Sequence, residues 1–292
     1  MFSILTPTYN RAYILHVAYE SLCRQSNLEF EWIIVDDGSK DETEALVKRW
    51  QKECTLFPII YFKQPNGGKH RAVNCGVGLA SYDHILILDS DDYLTEDASE
   101  KIHRWMEMTR DLPDFAGFSG SKAKAEGNKK ESSYIDATNI ERKKYHLLHD
   151  QAEVYRTEIM KKYPFPEFEG EKFLPESASW DRIALDGYKL RWFSDVIYIC
   201  DYLQDGLTRK ITYDVRRRNF QGYVYCTQLY LRYCSKLSAF LKTGEFYTIA
   251  RVRKGGLRET ATTLKRSKLY VLMAFIVYKL KMLIRPLIKK LR

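Results

Sequence analysis

The stretch Ile87-Leu88-Asp89-Ser90-Asp91-Asp92 decides how this chain is read. It closes an apolar run, His84-Ile85-Leu86-Ile87-Leu88, and sets carboxylates at positions 89, 91 and 92 directly behind it. A short apolar run of this kind reads as a buried strand. Residues directly behind such a strand lie at its carboxyl end, where open α/β sheets bind ligands. Acids crowded there repel one another unless a cation neutralises them, and a divalent metal carrying a nucleotide diphosphate is the simplest such cation. Asp-x-Asp also occurs in solvated turns ahead of helices. The position straight after a hydrophobic strand favours the metal.

Upstream the same pattern repeats. Glu31-Trp32-Ile33-Ile34-Val35 reads as a buried strand running into Asp36-Asp37-Gly38-Ser39, followed by a helix over Asp41 to Glu53. Ser39 with Glu42 three residues later has the form of a capping box. A first strand over Phe2 to Thr6 leads through Pro7-Thr8-Tyr9-Asn10 into a helix with the apolar stripe Ile14, Leu15, Ala18 and Leu22. A third strand, Ile59 to Phe62, precedes Asn66-Gly67-Gly68-Lys69 and a short helix toward Leu79. Strand and helix therefore alternate through the first 108 residues. This predicts an α/β fold with a mostly parallel central sheet and helices on both faces.

Four blocks, in order and in register, carry a family resemblance. They are Thr6-Pro7-Thr8-Tyr9-Asn10-Arg11, Val35-Asp36-Asp37-Gly38-Ser39, Asn66-Gly67-Gly68-Lys69-x-Arg71-x-x-Asn74, and Asp89-Ser90-Asp91-Asp92. Together they resemble family 2 glycosyltransferases. The resemblance implies a GT-A fold, a nucleotide-sugar donor, a divalent metal (Mn²⁺ or Mg²⁺) and inversion at the anomeric carbon. It assigns the metal to Asp91 and Asp89 and a uracil-edge hydrogen bond to Asp37. Thr6, Pro7 and Tyr9 line the base pocket, and Lys69, Arg71 and Ser90 contact the donor. Asp92 holds the loop or touches the donor sugar. Surface charge is an equally plain account of Arg71.

The second half has to supply an acceptor site and a base. The family pattern is an acidic pair, a helix with an aromatic and an Arg, then Gly-Tyr-Lys. Trp180, Arg182 and Gly187-Tyr188-Lys189 match its later part, which puts Glu176 at the position of the base. Pro175-Glu176 replaces the acidic pair, and Asp181 is the alternative base. Glu176 precedes a helix expected over Ser177 to Asp186, with Trp180, Ile183, Ala184 and Gly187 facing inward. Negative charge is favoured at a helix N-terminus, which suits a base; an ordinary first-turn acid is the plainer account. Trp180 is either an acceptor-stacking wall or a core residue. The block Asp201-Tyr202 to Asp205-Gly206-Leu207-Thr208 resembles a loop that closes over the diphosphate, without the His some members carry as an extra metal ligand.

Composition allows this reading. The 292 residues are 45% hydrophobic, enough for one large domain and an appendage. Six scattered cysteines with no Cys-x-x-Cys suggest reduced thiols rather than a disulfide framework or zinc site. A strand beginning at Phe2 leaves no room for a signal peptide. Ser119 to Ser133 reads as a mobile loop or insertion. The net charge of +9 resides in one place: residues 251–292 carry 13 Lys or Arg and a single acid, Glu259, for +12, while the rest balances at −3. The unbroken apolar run there, Leu269 to Tyr278, is far short of the roughly 20 residues a spanning helix needs. Leu280, Leu283, Ile284, Leu287, Ile288 and Leu291 recur at helical spacing opposite Lys281, Arg285, Lys289 and Arg292, with a kink expected at Pro286. That is the layout of an interfacial helix on an anionic membrane. A helix packed on the domain is the alternative, and nucleic acid ranks last because it explains the charge but not the apolar face.

The expected organisation is a nucleotide-sugar-binding half over 1–110, an acceptor and base half over 111–210, and a helical membrane-associating extension over 211–292. The expected protein is a cytoplasmic enzyme, peripheral on the inner face of the cell membrane. It transfers a sugar, from a UDP-sugar by preference, to a hydroxyl of a lipid-linked or oligosaccharide acceptor in surface polysaccharide synthesis. A polyprenyl-phosphate sugar transferase needs no base, and Glu176 counts against it. A non-catalytic binding protein has little need for Asp37, Asp89 and Asp91 together.

Overall fold

The structure, a computed structural model, describes residues 1–123, 133–147, 150–200, 213–253 and 255–290, with side chains up to 284. The chain divides into two units: Met1–Glu167 with Lys172–Gly206, and Phe168–Glu171 with Leu207–Arg292.

In the first unit β1 (Phe2–Thr8), α1 (His16–Cys23), β2 (Phe30–Asp36), α2 (Thr43–Glu53), β3 (Ile59–Lys63), α3 (Lys69–Leu79) and β4 (His84–Ile87) alternate as the sequence predicts. β1 pairs in parallel with β2 and with β4, and β2 with β3. Every residue of β1 and β2 is buried, as expected of parallel strands covered on both faces. On one face Ile4, Trp32, Ile34 and Leu86 pack with Leu15, with Ala18 and Leu22 of α1, and with Val47 and Trp50 of α2. The Tyr19 ring stacks on Trp50 with centroids 4.4 Å apart.

The chain continues through β5 (Tyr93–Leu94), α4 (Ala98–Thr109), β6 (Phe115–Ala123), β7 (Tyr134–Ala137), a 3₁₀ turn over Asn139–Lys143, β8 (Gln151–Arg156), α5 (Thr157–Lys162), α6 (Ser177–Leu185) and β9 (Lys189–Ile199). Sheet order is β3-β2-β1-β4-β8-β6-β9-β5, with β7 on β9. β8 runs antiparallel to β4 and β6, so the sheet is mixed in this half. Residues 119–123, read from sequence as the start of a loop, extend β6; 124–132 lie outside the described residues.

The capping box does not form. α2 starts at Thr43, whose N–H and hydroxyl both donate to Asp41 Oδ1, at 3.2 and 2.6 Å. Ser39 Oγ instead accepts the Asn10 N–H at 2.8 Å and ties the loop after β1 to the loop after β2.

The second unit holds α7 (Tyr213–Arg218), α8 (Phe220–Tyr230), α9 (Lys236–Val252), α10 (Leu257–Thr263) and α11 (Lys268–Lys290). Tyr223 stacks on Phe246 at 5.4 Å. A Cβ at Gly244 would sit 2.2 Å from the Ala274 carbonyl oxygen, so glycine is what lets α9 and α11 pack this closely. Val271 and Ala274 are fully buried, while Leu269, Leu272, Met273, Ile276, Leu280 and Leu283 of the same helix are 41–69% exposed. The helix continues through Pro286. No helix among the described residues is long and apolar enough to cross a membrane.

Candidate functional site

The parallel register brings the ends of β1, β2 and β4 to one edge: Thr8 lies opposite Asp36, and Leu5 opposite Ile87. The carboxylates of Asp89, Asp91 and Asp92 therefore emerge beside the loops that extend from β1 and β2. Asp92 and Ser90 are buried. The Asp89 N–H donates to the Tyr198 hydroxyl at 2.9 Å, and that hydroxyl donates to Asp92 Oδ2 at 2.8 Å. Burial and the neighbouring Asp89 charge push Asp92 up to about 7. Burial and Asp89 also raise Asp91. Burial opposes ionisation of Asp89 as well, but Lys69 and Lys122 outweigh it and hold Asp89 below the usual carboxylate range. This is the electrostatics of an edge that demands positive charge.

Asp37 accepts four hydrogen bonds from the chain itself. Gln64 Nε2 and the Gly67 N–H donate to Oδ1, each at 2.8 Å. Asn66 Nδ2 and the Gly68 N–H donate to Oδ2, at 2.9 and 2.7 Å. A carboxylate offers about four lone-pair sites, so in this arrangement Asp37 is a bracket for the glycine turn. A uracil edge finds an acceptor there only if one of the two side-chain amides, Gln64 on Oδ1 or Asn66 on Oδ2, turns away. Gly68 has φ +98°, and a Cβ on it would lie 1.9 Å from the Lys172 carbonyl oxygen. Both conditions require glycine. Arg71 braces the turn, donating from a terminal guanidinium nitrogen to the Gly67 carbonyl at 2.8 Å and from Nε to Glu167 at 3.1 Å.

Of the expected base-pocket residues, Tyr9 is 44% exposed, whereas Thr6 and Pro7 are buried. Thr6 Oγ1 accepts the Trp32 indole N–H at 2.9 Å, which spends its hydroxyl inside the core.

Glu176 is the N-cap residue of α6, yet its side chain does not cap the helix. It reaches Lys69, whose ammonium lies 3.0 Å from Glu176 Oε1 and 2.6 Å from Asp89 Oδ1. Burial disfavours the ammonium, but these two carboxylates prevail and raise Lys69 above its ordinary range. Asp181 is buried and accepts from Asn139 Nδ2 at 3.2 Å. Trp180 is 5% exposed, stacks on Tyr155 at 4.3 Å and meets Phe165 edge-on at 5.5 Å. In this packing Trp180 supports α6 from below rather than presenting a face to an acceptor.

Three residues at the site were missed by the sequence reading. Tyr198, fully buried, braces the acid loop. Lys122 places its ammonium 4.0 Å from the Tyr198 ring centroid, and its charge acts on Asp89 and Asp92. Glu153 on β8 is pushed up to about 7 by burial, with Lys122 opposing the shift and Glu176 adding to it. Each comes from a strand that becomes adjacent only through the sheet order. The lone acid inside Gln151–Arg156 is the single visible hint.

Among the described residues no cluster of three or more His, Cys, Asp or Glu side chains is arranged to hold a metal ion. Asp89 and Asp91 nevertheless fit a hard cation held by one or two carboxylates together with substrate phosphates. The ammonium seated on Asp89 and the raised Asp91 both mark a place that favours positive charge.

The sequence model of the family described as glycosyl transferase family 2 matches residues 3–163, more than half of the chain, and the chain belongs to that family. Its relatives include the E. coli chondroitin synthase, 38% identical over 92 residues, which are 30% of this chain and 13% of that one. A Mycobacterium tuberculosis PGL/p-HBAD biosynthesis glycosyltransferase is 38% identical over 96 residues, 33% of this chain and 37% of that one. The chain thus matches well under half the length of these curated relatives. Among solved structures, S. aureus TarS 1–349 in complex with UDP-GlcNAc superposes with a TM-score of 0.57 at 19% identity, covering 86% of this chain and 72% of that one. The Pyrobaculum calidifontis mannosyltransferase PcManGT in complex with GDP-Man and Mn²⁺ gives 0.57 at 17% identity, covering 94% and 86%. These likenesses bear out the GT-A fold.

Proposed function

We propose that this protein is a metal-assisted, inverting glycosyltransferase. It moves a hexosyl group from a nucleotide-diphosphate sugar to a hydroxyl of a lipid-linked or oligosaccharide acceptor in surface polysaccharide synthesis. One observation carries the reading: a carboxylate at the end of β4 and a carboxylate at the start of α6 meet on a single ammonium, Lys69. The acid loop suits the donor diphosphate, and Glu176 suits the acceptor.

Asp89 and Asp91 would hold Mn²⁺ or Mg²⁺, which when bound supplies positive charge against the diphosphate. Glu176 takes the proton of the acceptor hydroxyl as its oxygen attacks the anomeric carbon, and the nucleotide diphosphate departs from the opposite face. Tyr198 and Asp92 fix the acid loop, and Asp37 with Arg71 fixes the glycine turn beside it. Asp181 has a side-chain donor of its own at Asn139 and is the weaker base. A UDP-sugar is preferred, with the Gln64 or Asn66 amide giving way on Asp37. Tyr9, Lys69 and Ser90 contact the donor.

The apolar face of α11 and the basic 265–292 segment associate with an anionic membrane surface, on the cytoplasmic side. The helix packs through Val271, Ala274 and the half-buried Phe275 and leaves Leu269, Leu272, Met273, Ile276, Leu280 and Leu283 exposed, the division an interfacial helix needs. Nucleic acid has no part in this reading.

A thermal-shift panel of UDP, GDP and their sugars, with Mn²⁺ or with EDTA, tests it. A ligand that binds only the folded state raises Tm. A UDP-ligand shift that requires Mn²⁺ and disappears in Asp91→Asn is expected; no shift with any nucleotide would contradict the reading.

A further inference from the structure

We propose that Lys69 is the internal counter-cation of the nucleotide-free donor site. It pairs Asp89 with Glu176 until a metal–diphosphate takes Asp89 from it, so metal and nucleotide bind together rather than metal first. This inference rests on the reading of Asp89 and Asp91 as metal ligands.

Lys69 is fixed at its root. It is the first residue of α3, straight after the glycine turn that Asp37 holds by four hydrogen bonds. Lys172 closes the same turn, its carbonyl against Gly68 and its ammonium 2.7 Å from Asn66 Oδ1. The Lys69 side chain is 27% exposed, so its two ion pairs are partly shielded from water. An exposed pair is worth little; here one ammonium serves two carboxylates that would otherwise repel across the site. Arg11 and Lys122 also act on Asp89 through their charge, and Lys69 is seated directly on its carboxylate at 2.6 Å.

The ammonium and a metal ion compete for Asp89 Oδ1. A bare metal ion must displace Lys69 and leaves it with Glu176 alone. A metal ion arriving with a diphosphate brings phosphate oxygens that give the ammonium a new partner. The lysine therefore opposes bare metal and favours the metal–nucleotide complex. A residue that only binds nucleotide, or only braces the fold, would not produce effects of opposite sign.

Lys69→Met keeps the length of the side chain and removes its charge. Mn²⁺ binding to the nucleotide-free protein, read from the electron paramagnetic resonance signal of free Mn²⁺, is expected to tighten by roughly tenfold, the scale of losing one nearby unit charge. UDP affinity in saturating Mn²⁺ is expected to weaken. Lys69→Arg, which retains the charge, should keep wild-type Mn²⁺ affinity, and circular dichroism establishes that each variant is folded. If Lys69→Met misfolds, Lys69→Gln serves the same comparison. Unchanged or weaker Mn²⁺ binding in the charge-removed protein, with Asp91→Asn still abolishing Mn²⁺-dependent UDP binding, overturns this inference alone. Absence of Mn²⁺-dependent UDP binding in the wild-type protein, with no Mn²⁺ binding by the charge-removed variant, overturns it together with the donor-site reading.

Discussion

The Tyr198 hydroxyl donates to Asp92 at 2.8 Å from inside the core, while the same oxygen accepts the Asp89 N–H at 2.9 Å. A strand at the far side of the sheet thus sets the conformation of the acid loop on β4. Tyr198→Phe removes both bonds and leaves buried polar groups unpaired. The expected cost is about 1–3 kcal/mol of stability, together with weaker Mn²⁺-dependent UDP binding. Denaturant unfolding and calorimetry check the two effects; wild-type values in both would refute the bracing role.

Gly68→Ala meets two obstacles: φ +98° and a Cβ 1.9 Å from the Lys172 carbonyl oxygen. Left-handed backbone alone costs a non-glycine residue about 1–3 kcal/mol, and the backbone clash adds to it. The turn should open and donor binding should fall sharply. Arg71→Lys keeps the charge but loses the paired contacts to Gly67 and Glu167, and should give a milder loss at the same turn. Isothermal titration with UDP and Mn²⁺ ranks the two.

Acid should destabilise the fold through two buried imidazoles. Burial, then Arg156, depress His84 to about 4; burial, then Arg71, depress His70 to about 4. Both ring nitrogens of His84 lack hydrogen-bond partners among the described residues. The unfolded chain takes up these protons near 6.5 and the folded chain only near 4. Stability from this source is therefore complete above about 6.5 and is lost as pH falls toward 4, by on the order of 3 kcal/mol per site. His84→Phe keeps a ring against Phe118 and should flatten the fall in Tm over that window. An unchanged slope would show that other groups control it.

The C-terminal helix calls for substitution rather than deletion. Removing 265–292 would strip Val271 and Ala274 from their packing and unfold the helical unit. Leu272→Glu with Leu283→Glu alters only exposed positions, 41% and 69% accessible. Cosedimentation with anionic vesicles should show wild-type binding that weakens with salt but persists, since each Lys or Arg contributes about 1 kcal/mol and apolar insertion is not screened. The double variant should lose the salt-resistant part. Retention of that part would place membrane contact elsewhere.

Much of the fold of the first 110 residues was legible because its signals are local. Apolar runs end in acids, glycines mark the turn before α3, and parallel pairing carries those ends to one edge. Single side chains were harder. Thr6 and Ser39 each carry a hydroxyl that sequence assigns to a ligand or a cap, and for Trp180 sequence leaves an acceptor wall and a core position open. The fold spends them on Trp32, on Asn10, and on Tyr155 and Phe165. Asp37 reads as a ligand-binding acid, and nothing in sequence shows that Gln64 through Gly68 fold back to saturate it. Tyr198, Lys122 and Glu153 reach the site because β8 inserts between β4 and β6, and β9 pairs with β6. That order is a property of the whole sheet rather than of any segment. Residues 201–212, which hold the expected diphosphate-closing block, lie outside the described residues.

The central claim is that Glu176 takes the acceptor proton while the donor is held elsewhere. Its most direct test is nucleoside diphosphate release from a UDP-sugar with Mn²⁺, with water or an oligosaccharide as acceptor, measured beside UDP affinity in wild type, Glu176→Gln and Asp181→Asn. Glu176→Gln should lower turnover by roughly 10²-fold or more while leaving UDP affinity nearly unchanged, and Asp181→Asn should retain turnover in proportion to its folded fraction. Full turnover by Glu176→Gln, with turnover lost in a folded Asp181→Asn, would contradict the account.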